Sequence, residues 1–157
     1  MKQEIERKFL VQGTAWKNAS AGYLCRQGYL LRSREYVVRI RTTGSKGYLA
    51  VKGASAGISR MEYEYEIPFT EACDMLEKFC EKPLIEKYRY PIQYKGLIWE
   101  VDEFFLENEG LLIAEVELES ETQVFEKPEW AGEEVTGDAR YYNSNLARHP
   151  YRKWSAK

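Results

Sequence analysis

Apolar and polar residues alternate along most of this chain with a period of two, the spacing a half-buried β-strand imposes. The pattern starts at once. In EIERKFLV, Glu4, Glu6 and Lys8 fall on one face, and Ile5 and Phe9 on the other. YVVRIRTTGSKGYLAVKG predicts a hairpin with its turn at Thr43-Gly44-Ser45-Lys46-Gly47. SRMEYEYEIPF predicts a strand stopped by Pro68, and IEKYRYPIQYKGLIWEVDEFF predicts two strands joined near Tyr94-Lys95-Gly96. LLIAEVELES follows a turn at Glu107–Gly110. Helical spacing is rarer. From Thr70 to Cys80, with Thr70 as cap, Ala72, Met75, Leu76, Phe79 and Cys80 form one apolar stripe. Ser120-Glu121-Thr122-Gln123 has capping-box spacing and predicts a short helix before Pro128. A last helix is expected from Asp138 to Ala147. The class is α+β, dominated by antiparallel strands, in a single domain over residues 1–157.

Residues i, i+2 and i+4 share a strand face. Applied strand by strand, this rule collects charge on one side. Arg39 and Arg41 oppose Val38 and Ile40, and Lys52 ends the next strand. Glu62, Glu64 and Glu66 oppose Met61, Tyr63, Tyr65 and Ile67. Lys87 and Arg89 face away from Tyr88 and Tyr90; Glu100 and Asp102 face away from Trp99 and Val101. Glu115, Glu117 and Glu119 oppose Ala114, Val116 and Leu118. A solvated antiparallel face usually mixes Thr and Ser with its charges. These faces are nearly all charged, and several strands carry one sign alone. Like charges on one strand repel unless water, counter-charge or a ligand compensates them. A sheet closed on itself meets that need, with a charged lumen inside and apolar faces packed against outer helices. Glu66 and Glu119, at strand ends, are read as solvated.

The composition changes little in this picture. There are 23 Lys and Arg against 25 Asp and Glu, a formal charge of −2, so nothing points to general attraction for nucleic acid or membrane. No apolar run approaches the roughly 20 residues of a membrane span. The three cysteines, Cys25, Cys73 and Cys80, have no CxxC spacing, which predicts a reduced, cytoplasmic protein with Cys73 and Cys80 in the core. His149 is the single histidine, which argues against a His-rich zinc site or a His-based triad.

The basic lumen set is Lys8, Arg39, Arg41, Lys52, Lys87 and Arg89. Such a set suits a ligand with many anionic oxygens, because arginine grips phosphate oxygens bidentately and lysine adds point charge. The acidic set is Glu4, Glu6, Glu62, Glu64, Asp102, Glu115 and Glu117. Carboxylates repel a polyphosphate but hold Mg²⁺ or Mn²⁺, which bind it. Both sets together imply a metal–polyphosphate complex. TGSKGY lacks the Gly-Lys-Ser/Thr ending of a P-loop and reads as a hairpin turn.

Glu4-Ile5-Glu6-Arg7-Lys8 resembles the ExExK signature of the CYTH superfamily, the triphosphate tunnel metalloenzymes. VRIR, AVKG, RMEYEYEI, EKYRY, WEVDEF, AEVELES and GEEVTGDARYYNSNLA follow in the family's order, so the resemblance spans nearly the whole chain. It is nearest to small bacterial inorganic triphosphatases. The resemblance implies a closed eight-stranded antiparallel barrel with a few flanking helices. It implies Glu4, Glu6, Glu115 and Glu117 as ligands of Mg²⁺ or Mn²⁺, with Glu62, Glu64 and Asp102 as second-metal or water-positioning groups. It makes Lys8, Arg39, Arg41, Lys52, Lys87 and Arg89 the phosphate ligands. RQGYL resembles a motif in which a tyrosine pairs with the ExExK lysine, which would set Tyr29 beside Lys8 as a catalytic pair favouring phenolate. The implied reaction is metal-dependent hydrolysis of inorganic triphosphate to diphosphate and phosphate. The family also holds class IV-type adenylyl cyclases and thiamine triphosphatases, and a non-catalytic polyphosphate sensor is a further alternative. A homodimer is compatible with the resemblance. Arg7, on the opposite parity, is expected outside the tunnel.

Overall fold

The computed structural model describes residues 2–154. Among the described residues nine strands are present: β1 (Lys2–Val11), β2 (Tyr23–Arg32), β3 (Tyr36–Thr43), β4 (Lys46–Gly53), β5 (Ser59–Ile67), β6 (Ile85–Tyr94), β7 (Leu97–Phe104), β8 (Leu112–Glu117) and β9 (Ala131–Glu134). Two α-helices join them, α1 (Phe69–Lys78) and α2 (Asn143–Arg148). Strands β2 to β5 form one antiparallel meander and β6 to β8 another. The β2–β6 pairing joins the meanders on one side. On the other, β1 sits between β8 and β5 and closes the sheet into an eight-stranded barrel. The first half of β1 pairs with β5; its second half bends away and pairs with β9.

The hairpins are tighter than the sequence reading placed them. β3 and β4 are joined by Gly44 and Ser45 alone, with Gly44 at φ +58°. Lys95 and Gly96 both adopt positive φ, 50° and 81°, the conformation of a two-residue turn that follows the twist of its strands.

Helix α1 lies across β2, β3 and β4. Ala72, Leu76 and Cys80 bury against Ile40. Gly47 allows the close approach, since a Cβ there would stand 2.6 Å from the Ala72 Cβ. The helix starts at Phe69, directly after Pro68, and Thr70 is not its cap. Cys80 lies just past its end, and Cys73 is half-buried rather than in the core.

Two helical expectations fail. Residues 120–127 form turns and irregular chain, not a helix. A capping box needs Gln123 to reach back to the Ser120 amide; instead Gln123 Oε1 accepts from the Glu119 N–H at 2.7 Å, and Glu121 is drawn off by Ser59 Oγ at 2.7 Å. The last helix is broken at Tyr142, whose ψ of 133° is extended. A 3₁₀ turn over Ala139–Tyr141 precedes the break, with Asp138 accepting from the Arg140 N–H, and α2 follows it.

The outer wall is covered unevenly. Outer residues of β1, β7 and β8 (Ile5, Phe9, Trp99, Val101 and Val116) are buried, and Phe125 and Trp130 of the chain before β9 pack on them. The expected cover of helices is absent over β5. Met61, Tyr63 and Tyr65 stand 46%, 38% and 59% exposed. Among the described residues, no helix is long and apolar enough to cross a membrane.

Candidate active site

The barrel encloses a cavity of about 270 Å³. Strand alternation directs its lining. Lys8, Arg39, Arg41, Lys52, Lys87 and Arg89 all reach it, as do Glu4, Glu6, Glu62, Glu64, Glu115, Glu117 and Tyr29. Neighbouring strands set these groups side by side: Lys8 is register partner of Glu115, Glu6 of Glu117, and Lys52 of Glu62.

The buried charges pair across strands. Lys52 Nζ lies 3.0 Å from Glu4 and 3.1 Å from Glu62. Arg39 and Arg41 share Glu64 at 3.1 and 3.0 Å. Lys8 is 3.6 Å from Glu115 and 4.0 Å from Glu6. Burial alone would raise the Glu115 carboxyl, but Lys8, Arg89 and Lys87 outweigh it and hold it well below the usual range. Burial works against Glu4 too, and Lys52 and Arg60 overcome it. Glu6 is different. Burial first, then the charges of Glu115 and Glu4, push it up to about 8.

Asp102 departs from its expected role. It is fully buried and does not line the cavity. Arg89 grips it with two 2.8 Å hydrogen bonds, and Lys87 donates a third at 2.8 Å. Both of its oxygens accept from these cations, so from outside the cavity lining it orients Arg89 and Lys87. Tyr29 and Lys8 both line the cavity and interact electrostatically, but their hydrogen bonds go elsewhere. Lys8 Nζ bonds to the Tyr141 carbonyl at 3.5 Å, while the Tyr29 hydroxyl accepts from Gln27. Burial raises the Tyr29 phenol and outweighs Arg39, Arg60 and Lys8, so the hydroxyl stays protonated.

Several lining residues were not singled out in the sequence. Lys2, Arg60 and Gln27 lie on the same alternate positions as the chosen ones, so the signal was there, and Glu100, placed on the charged face but outside the acidic set, lines the cavity too. Tyr142, Asn143 and Ser144 carry no alternation and reach the cavity only through the fold. Arg7 is outside as expected, gripping Glu134 with two 2.7 Å bonds.

A family model for the CYTH domain matches residues 2–151. The chain belongs to the CYTH family. It is 58% identical over 154 residues to an inorganic triphosphatase of Acetivibrio thermocellus, covering 98% of this chain and 99% of that one. It is 40% identical over 148 residues to an inorganic triphosphatase of Nitrosomonas europaea, covering 92% and 96%. A solved inorganic triphosphatase, 36% identical, superposes with a TM-score of 0.68 over 94% of this chain and 95% of that one. A Hippeastrum protein, 16% identical with a TM-score of 0.60 over 74% of this chain and 80% of that one, shares the fold alone.

The acidic residues of this CYTH barrel fit a hard divalent cation by donor type, since they offer carboxylate oxygens only. Burial and the charges of Glu115 and Glu4 push the Glu6 carboxyl up, a strain that a bound cation would relieve, while Glu4 Oε2 stands 3.0 Å from Lys52 Nζ. As the side chains stand, Glu4 turns to Lys52 and Glu115 to Lys8, and among the described residues no three Asp, Glu, Cys or His side chains converge as a metal cluster.

Proposed function

We propose that this CYTH protein hydrolyses inorganic triphosphate to diphosphate and phosphate inside the barrel, with Mg²⁺ or Mn²⁺. The observation that carries this reading is the cation set. Six Lys and Arg side chains from four strands meet in one cavity, and the Nε atoms of Arg39 and Arg41 are buried with no hydrogen-bond partner. Those donors match the oxygens of a phosphate chain. The names of the two curated relatives support the same substrate. Ordinary ligand pockets run from roughly 300 to 1,000 Å³. A cavity of about 270 Å³ therefore favours a bare phosphate chain over a nucleoside or thiamine ester held wholly inside.

In this reading Lys8, Arg39, Arg41, Lys52, Lys87 and Arg89 bind and neutralise the phosphates, which stabilises charge spreading in the transition state. Asp102 keeps Lys87 and Arg89 aimed inward. Glu4, Glu6, Glu115 and Glu117 would hold the cation, with Glu62 and Glu64 beside them. The cation supplies charge neutralisation on the phosphates and a more acidic bound water. Tyr29, protonated, serves as a donor or as packing rather than as a base.

The test is phosphate release from triphosphate, ATP, thiamine triphosphate and diphosphate with Mg²⁺, Mn²⁺ or EDTA. Metal-dependent release, fastest from triphosphate and absent from diphosphate, is expected. No release from triphosphate under any metal would sink the reading.

A further inference from the structure

The outer face of β3, β4 and β5 is unlike the rest of the barrel wall. Register sets Leu31 of β2 beside Val38 of β3, Val38 beside Val51 of β4, and Val51 beside Tyr63 of β5. One apolar row thus crosses four strands. Tyr65, the partner of Leu49, extends it towards α1, and Tyr36 and Met61 flank Gly53 on the other side. Leu31 and Tyr36 are each 43% exposed, and Met61, Tyr63 and Tyr65 are exposed as well. Alternation puts every Lys, Arg, Asp and Glu of these three strands on the opposite face, so no charge interrupts the patch. Elsewhere the outer wall is covered or charged. Phe125 and Trp130 lie over β1, β7 and β8, and α1 lies over Ile40. On β2 and β6 the exposed Leu24 and Tyr88 stand next to an Arg26–Glu86 pair at 3.2 Å.

Contiguous exposed apolar surface on a folded chain marks a place where something docks. Two features choose the occupant. The patch carries no charge, so nothing in it selects a different partner by opposite charge. Around a two-fold axis the same uncharged surface is its own complement. Size is the second feature. Five side chains of roughly 150–250 Å², each about half exposed, offer on the order of 450 Å². Val38, Leu49, Val51 and Gln3 border them and bring the area towards the small end of a standard interface, roughly 800 Å² per partner. Antiparallel sheets pack face to face about 10 Å apart with side chains interdigitating. Gly53 supplies a gap for this: a Cβ there would meet only the Met61 carbonyl, at 3.9 Å, so a ring from a second copy can enter between Tyr36 and Met61.

We propose that two copies of this chain pair through the outer face of β3–β5, around a two-fold axis, with Val51 and Tyr63 in the middle of the contact. The barrels then stand wall to wall. Each keeps its own complete cavity, because the joined walls turn Arg39, Arg41, Lys52 and Glu64 to the inside. The tyrosine rings fill the contact while their hydroxyls reach its wet edge. An interface of this size dissociates on dilution, so single chains prevail at low concentration.

The test is sedimentation of the purified full-length protein across a wide concentration range. The mass should rise from one chain towards two. A protein that stays single at the highest concentration overturns the proposal and leaves the face to a different partner. A mass that climbs past two also overturns it, because a two-fold contact closes. Tyr63→Lys sets a charge in the middle of the contact and should raise the dissociation constant by about tenfold or more, with the circular dichroism of the single chain unchanged. Tyr88→Lys, on the charged part of the wall, should leave pairing as it is. A folded Tyr63→Lys protein that pairs as tightly as the wild type removes this face from the role. Hydroxyl-radical footprinting needs no variant and decides the matter if Tyr63→Lys does not fold. Oxidation of Met61, Tyr63 and Tyr65 should fall several-fold from dilute to concentrated wild type, while that of Tyr88 holds. Equal oxidation at both concentrations, or protection of Tyr88 instead, overturns the proposal.

Discussion

The two faces of the barrel wall over β4 and β5 reverse the usual order of a protein. Inside, Lys52 is buried and pairs with Glu62, and Glu64 pairs with Arg41. Outside, Met61, Tyr63 and Tyr65 stand in solvent on the same strand. Replacing buried ion pairs by well-packed apolar residues is often neutral or stabilising. The inner charges are therefore poorly explained by stability, and a bound polyanion explains them better. Over β1, β7 and β8 the outer face is a true core, with Phe9 and Trp99 buried under Phe125. The difference teaches that one alternating pattern serves two ends: outside it sets packing, inside it sets chemistry.

The sharpest way to break this comparison is at Asp102. Asp102→Ala leaves Lys87 and Arg89 without their shared partner, and about 3–5 kcal/mol of stability should be lost in denaturant unfolding. Lys8→Ala should lower kcat on triphosphate by about 10²–10³, the effect of removing one preorganised donor, while the protein stays folded. If Lys8→Ala keeps full activity, the inner face is structural after all. Arg7→Ala, one residue away on the other face, removes a partly exposed pair with Glu134; kcat should hold and stability should fall by about 0.2–1 kcal/mol. In dilute solution, where single chains prevail, Tyr65→Ser should change stability by no more than about 0.5 kcal/mol, because its ring is in water there. A large loss would show that this outer face is covered even at that dilution.

The smallest effect concerns the thiols. Burial pushes the Cys80 thiol up to about 11, and burial raises Cys25 against Lys87 and Arg89. Both stay protonated, and so unreactive, at pH 8. A thiol reagent at pH 8 should label Cys73 first and all three only after unfolding, with Cys80 reacting in the native protein only as the pH nears 11.

The period-two alternation determined, from sequence alone, which side of each strand bears the chemistry. It identified Glu4, Glu6, Lys8, Arg39, Arg41 and Lys87 as cavity residues because a strand's side chains alternate whatever the strand pairs with. Read to its ends, it would have given Lys2 and Arg60 as well. Helix signals served less well, since capping groups such as Gln123 and Glu121 were claimed by other partners in the fold. Three matters were decided only by tertiary structure. Asp102 belongs to Arg89 and Lys87 rather than to the cavity; Tyr29 is buried and accepts from Gln27; and Tyr142–Ser144 reaches the cavity. Each depends on contacts between strands, or between a strand and the C-terminal segment, whose spacing no local pattern records. Alternation tells a residue which way to point, and only the closed barrel decides what it meets there.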